Sequence, residues 1–157
     1  MGRILALDVG EKRIGVAVSD ETATLARPLT TITRASKRED FGRIARLAVE
    51  QGAERIVAGY PRSLSGAEGP QAQRVRRYVE ALARGLSVPV EMWDERYTTV
   101  VASERLRDAR PRQRRDRGQL DAAAAAVLLQ DYIDARRLTL MDSERLTKDE
   151  IRNTEYE

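Results

Sequence analysis

Arg3-Ile4-Leu5-Ala6-Leu7-Asp8-Val9-Gly10-Glu11-Lys12-Arg13-Ile14-Gly15-Val16-Ala17-Val18-Ser19-Asp20 is the stretch that decides the fold. Two aliphatic runs rich in β-branched residues flank a polar break with a glycine in it. That is the pattern of two adjacent strands joined by a turn. Asp8 closes the first run. A carboxylate at a strand exit is costly unless it is paired or binds a cation. Gly10, two residues on, leaves room for a ligand or a backbone to come close. A surface turn that merely starts with Asp is the plain alternative.

Downstream, residues 26–33 (Ala-Arg-Pro-Leu-Thr-Thr-Ile-Thr) read as a third strand, with Pro28 near its start or on an exposed edge. From about Arg38 to Gln51, Phe41, Ile44, Ala45, Leu47 and Ala48 recur at helical spacing, and Gly52 ends the helix. Ile56-Val57-Ala58 is a short buried-type strand, followed by a helix from about Gln71 to Arg84. Val88 to Trp93 supplies a fifth strand. Thr98 or Thr99 caps a helix running to about Asp108, and a last helix spans about Gln119 to Arg137. Three strands and then alternating helix and strand describe an α/β layer fold. Its sheet begins as an antiparallel meander and continues with parallel crossovers.

Composition works mainly by exclusion. A chain of 157 residues fits one domain with a real core. It contains no cysteine and no histidine. Disulfides, Cys/His zinc sites, cysteine nucleophiles and a Ser-His-Asp triad are therefore ruled out. Any acid-base groups or metal ligands must be mainly Asp and Glu, which suit hard ions such as Mg²⁺ or Mn²⁺. The net charge is only +3. An isoelectric point of about 9.5 and a preference for Arg over Lys fit a polyanionic partner. With no run of about 18 apolar residues and Met1-Gly2-Arg3 leading straight into a strand, no membrane span or signal peptide is expected, and the location expected is cytoplasmic.

Three further stretches carry candidate chemistry. Gly59-Tyr60-Pro61-Arg62-Ser63-Leu64-Ser65-Gly66-Ala67-Glu68-Gly69-Pro70 leaves a strand and enters a helix, with Pro70 suited to the first helical position. Free N–H groups there, with Arg62 nearby, could hold a phosphate; a plain loop is the alternative. Trp93-Asp94-Glu95-Arg96-Tyr97-Thr98-Thr99 places two acids at a strand exit. Strand alternation turns them to opposite faces, so one of the two would enter a shared site, and spacing does not decide which. Asp121 opens Asp121-Ala122-Ala123-Ala124-Ala125-Ala126-Val127-Leu128-Leu129. At 100° per residue it lies nearly in line with Leu128 and Tyr132, on the face that packs. An acid on that face needs a cation, unless it is an ordinary first-turn acid.

Together these blocks resemble a known family. Asp8 to Asp20, Gly59-Tyr60-Pro61 with Gly66 and Gly69, Asp94-Glu95-Arg96 with Thr98-Thr99, and Asp121 followed by Ala123-Ala124 and the Leu129-Gln130 region are similar to the YqgF/RuvX family of RNase H-like nucleases. The blocks stand in family order and span about residues 3 to 135. The resemblance implies an RNase H-like fold, a five-stranded mixed sheet flanked by helices. It also implies a nuclease site in which Asp8, Glu95 and Asp121 hold one or two Mg²⁺ or Mn²⁺ ions, and it selects Glu95 over Asp94. Such ions would orient a water and stabilise charge on the scissile phosphate. Lys12, Arg13 and Arg62 are candidate phosphate contacts.

Two segments depart from that template. Residues 107–118 are arginine-rich, and Arg110, Arg112, Arg114 and Arg115 read as a mobile loop that grips a phosphate backbone in a salt-sensitive way. A solvated charge run is the alternative. The domain is expected to span residues 1–137, leaving 138–157 as an acidic polar tail, either a short helix or disordered. The family offers two substrates, precursor 16S ribosomal RNA trimmed near its 5′ end and four-way (Holliday) DNA junctions. Junction resolution needs two symmetric sites and hence a dimer. No apolar helix is left over for an obvious interface, which favours RNA and a monomer or weak homodimer. A non-catalytic nucleic-acid-binding module is the reading from another class.

Overall fold

Glycine, proline and side-chain periodicity place the elements. The computed structural model of the chain describes residues 2–61, 67–94 and 117–154. Strands β1 (Arg3–Val9), β2 (Arg13–Ser19) and β3 (Ala26–Thr33) come first, then helix α1 (Lys37–Gln51), strand β4 (Ala53–Tyr60), helix α2 (Pro70–Arg84), strand β5 (Val90–Asp94) and helix α3 (Arg117–Thr154). The five strands form one sheet in the order β3-β2-β1-β4-β5. β1 pairs antiparallel with β2 and parallel with β4, so it lies at the centre. The β2–β3 pair is antiparallel and β4–β5 is parallel. The expected meander followed by parallel crossovers is what forms. Pro28 sits on the edge strand β3, at a register shift opposite Val16 and Ala17, where a missing N–H disturbs the ladder least.

Alternation along β1 divides the core in two. Leu5, Leu7 and Val9 pack with Ile44 of α1 and with Val75, Tyr78 and Leu82 of α2. Ile4 and Ala6 face the other way, onto Ala125, Leu129, Tyr132 and Ile133 of α3. Small residues on that second face, Ala6 and Ala17 among them, let α3 lie close to the sheet. The Ser36 hydroxyl caps α1 by accepting the Glu39 N–H at 3.2 Å, and Gly52 closes it at φ 64°, a left-handed conformation suited to glycine. Pro70 occupies the first turn of α2, as expected.

α3 differs from expectation. It does not stop near Arg137 but continues to Thr154, so of the two alternatives for the tail the helical one holds through Thr154, as a continuation of the same helix. No glycine or proline interrupts that segment. The hydroxyls of Thr139, Ser143 and Thr147 also donate to carbonyls four residues back, at 3.1, 3.0 and 2.9 Å. What ends near Arg137 is the packed face, because Leu138, Met141 and Leu146 are exposed. The helix expected over about residues 98–108 lies outside the described residues. Among the described residues no helix is long and apolar enough to cross a membrane.

Candidate active site at the end of the central strand

Asp8 shares a face of β1 with Ile4 and Ala6, so its carboxylate lies on the α3 side of the sheet, near the end of the strand. Its cross-strand partner is Gly15. A Cβ at Gly15 would fall 1.9 Å from the backbone oxygen of Asp121 and 2.4 Å from its carbonyl carbon. Only glycine allows the first turns of α3 to press onto β2 at this point. That contact carries Asp121 to the neighbourhood of Asp8. Ala122 and Ala125 are buried beneath the same turns, the close approach expected of the alanine run.

Side chains secure α3 in place. Thr31 Oγ1 donates to the Gly118 carbonyl. Gln130 clips the helix to the β2–β3 turn: its Oε1 accepts the Ala26 N–H at 2.9 Å and its Nε2 donates to the Thr24 carbonyl at 3.1 Å. Farther along, Tyr132 donates to Glu91 at 2.7 Å and accepts from Arg55 at 2.9 Å. Asp20, at the end of the first motif, is structural, since its Oδ1 accepts the Thr24 N–H at 2.7 Å and folds the turn.

The electrostatics mark Asp8 as the stressed group. Burial, and secondly the charge of Asp121, push its carboxyl up to about 6 from an ordinary 3.8. No hydrogen bond from the described residues offsets this. Asp121 is better provided for, with Arg13 Nε 2.6 Å from its Oδ2. Two carboxylates that repel each other, one of them desolvated, form a hard oxygen donor set that a divalent cation would relieve.

The structure brings together Asp8, Asp121 and Arg13. Lys12 is exposed on the β1–β2 turn, and its carbonyl accepts the Arg34 N–H at 2.9 Å. Arg13, a candidate phosphate contact, pairs with the Asp121 carboxylate. Glu95, Arg62, Arg110, Arg112, Arg114 and Arg115 lie outside the described residues, so the third acid is not placed. Accordingly, no group of three candidate metal ligands occurs among the described residues. β5 runs parallel to β4 and, through it, to β1, so Asp94 ends at the same edge of the sheet as Asp8. Sequence reading missed Gly15, although a glycine inside a strand is a recognised signal of close backbone approach. It also missed Arg34, Asp40 and Tyr78. These join behind the turn: Tyr78 donates to the buried Asp40 at 3.0 Å, and Arg34 lies 3.9 Å from the same carboxylate while donating to the Gly10 carbonyl at 2.8 Å.

Known proteins resemble the chain over nearly all of this architecture. The family model "RuvX: Holliday junction resolvase" matches residues 2–135. A Chloroflexus aggregans protein named "Putative pre-16S rRNA nuclease" is 49% identical over 134 residues, covering 85% of this chain and 94% of its own. A protein of the same name from Thermoanaerobacter pseudethanolicus is 43% identical over 136 residues, covering 86% and 98%. Among solved structures, T. thermophilus RuvC in complex with a Holliday junction substrate superposes with a TM-score of 0.57 at 16% identity, covering 88% of this chain and 98% of that one. That likeness concerns the fold, and the fold is RNase H-like. The family-model match ends at residue 135, near the end of the packed part of α3, and the chain belongs to the RuvX (YqgF) family of nucleases.

Proposed function

We propose that this nuclease is divalent-metal-dependent and cuts RNA, trimming the 5′ side of precursor 16S ribosomal RNA, with Asp8, Glu95 and Asp121 as its metal ligands. The observation that carries the reading is the backbone contact at Gly15, which brings Asp121 up beside Asp8, whose carboxyl burial and the Asp121 charge push to about 6. A fold gains nothing from crowding two acids in this way unless a cation joins them. One or two bound Mg²⁺ or Mn²⁺ ions would supply a water of increased hydroxide character and offset charge on the phosphate. The chain's own part is positional. Asp8 and Asp121 present oxygens from a rigid strand and a rigid helix, Arg13 balances the Asp121 charge when no ion is bound, and Lys12 offers a cation on the turn above. Relatives named for pre-16S rRNA favour RNA as the substrate and the cytoplasm as the place of action. A single site suffices for trimming one strand, so a monomer can act.

The family model's own description favours a second reading, resolution of four-way DNA junctions, which requires a dimer. Both are tested by incubating labelled structured RNA and a four-way junction with the protein in Mn²⁺ or Mg²⁺, alongside EDTA and Asp8→Asn controls. Metal-dependent RNA cutting that the variant lacks is the expected result. Symmetric junction nicking would promote the resolvase. Binding of both substrates without cleavage of either would make the chain a nucleic-acid-binding module and would sink the proposal.

A further inference from the structure

Behind the β1–β2 turn, on the face of the sheet opposite Asp8, lies a cavity of about 540 Å³. Its walls include Val9 and Gly10, the two residues that follow Asp8, so it begins one residue from the nuclease site but beneath the turn. Among the described residues, four cationic side chains line it, Arg34, Lys37, Arg74 and Arg77, against a single carboxylate, Glu11. Arg34 is spoken for: it pairs with buried Asp40, donates to the Gly10 carbonyl and stacks 4.4 Å over the Tyr78 ring. Arg74 lies 3.6 Å from Glu11 where both are exposed, a weak pairing. Lys37 and Arg77 make no ion pair among the described residues. Arg74 and Arg77 stand three apart on one helix face, where like charges repel. The folded chain thus keeps a surplus of positive charge around a concave space and gains no stability from it.

We propose that this cavity is a second nucleic-acid subsite, which holds the phosphate backbone of the substrate strand after it crosses the β1–β2 turn from Asp8. The inference rests on the nuclease reading. The volume exceeds what one phosphate needs and suits a nucleotide unit. Rigid Arg34 forms the floor, and Lys37, Arg74 and Arg77 supply mobile cations at the rim. Lys12 stands on the turn between the two sites.

The test is fluorescence anisotropy of a labelled single-stranded RNA in EDTA, which measures binding without cleavage, repeated over a range of salt. The parent is compared with Lys37→Gln/Arg77→Gln and with Arg46→Gln/Arg84→Gln, which removes equal charge from exposed positions farther along α1 and α2. The cavity pair is expected to weaken binding about tenfold at low salt and to lower the salt slope by about 1.4, two single-strand phosphate contacts. The distant pair leaves both unchanged. Equal affinity of all three proteins, or equal weakening by both pairs, overturns the proposal. So does loss of inorganic phosphate binding with RNA affinity intact, which would make the cavity a free-anion site. A parent that binds RNA through the cavity yet never cuts it sinks the nuclease reading and leaves the subsite supported.

Discussion

Replacing Asp8 by Asn should make the protein more stable while ending its cleavage activity. The native Asp8 carboxyl titrates at about 6, against 3.8 for the ordinary group, because of burial first and Asp121 second. The folded value is the higher one, so between these two values the native chain holds a proton that the unfolded chain has released. Stability therefore falls as pH rises through that window and stays low above it. Each unit is worth about 1.4 kcal/mol, which sets a ceiling of roughly 3 kcal/mol at about pH 8. The amide that replaces the carboxylate is still a buried polar group and returns part of that gain. A net stabilisation of about 1–2 kcal/mol remains, equivalent to roughly 2–8 °C in Tm for a domain of this size.

Urea denaturation of both proteins in EDTA, at several values from about pH 4 to about pH 8, measures the difference directly. It should be smallest at the acid end, where the native Asp8 carboxyl is protonated and the unfolded one partly so, and reach a plateau above about pH 6. Adding Mn²⁺ at the alkaline end should stabilise the parent and narrow the gap, since binding to the native state alone adds stability by mass action. A variant less stable than its parent at about pH 8, or a difference flat across the window, would refute the reasoning. Asp8 would then be an ordinary polar residue, and the case for a cation-seeking pair would fall with it.

Three other substitutions probe the supports of the site. Gly15→Ala places a methyl group 1.9 Å from the Asp121 backbone oxygen, so α3 must lift; a loss of about 3 kcal/mol in urea denaturation and near-complete loss of cleavage are expected, and unchanged activity would refute the packing argument. Arg13→Gln removes the cation 2.6 Å from Asp121, and calorimetric titration should show Mn²⁺ binding strengthened by up to about 1 kcal/mol; weaker binding would mean that Arg13 orients the carboxylate for the ion rather than competing with it. Tyr78→Phe deletes the 3.0 Å hydrogen bond to buried Asp40 and should cost about 1.5–3 kcal/mol by the same denaturation assay; no loss would show that Arg34 and the Ala35 N–H suffice to satisfy that carboxylate.

What could be read without coordinates follows from what periodicity reports. It tells which face of an element is apolar but not what lies across from that face. β1, β2 and α1 were therefore legible, because alternation, helical spacing and the terminal Gly52 act within each segment. Asp8 and Asp121 were legible as candidates, because each interrupts an apolar face. The end of α3 was not, since the packed face stops near Arg137 while nothing in residues 138–154 stops the helix. The partner of Arg13 was not legible for a related reason. Its sequence neighbours suggest an open basic turn, and only the descent of α3 onto Gly15 supplies the carboxylate it holds. The Arg34–Asp40–Tyr78 network joins the β3–α1 connection, α1 and α2, and no spacing within one segment encodes such a meeting. The absent side chain at Gly15 links these cases. It lets the helix approach, the approach brings the second acid to the first, and the burial that follows gives Asp8 its unusual proton affinity. A residue with no functional group thus determines whether the residues that have one can act together.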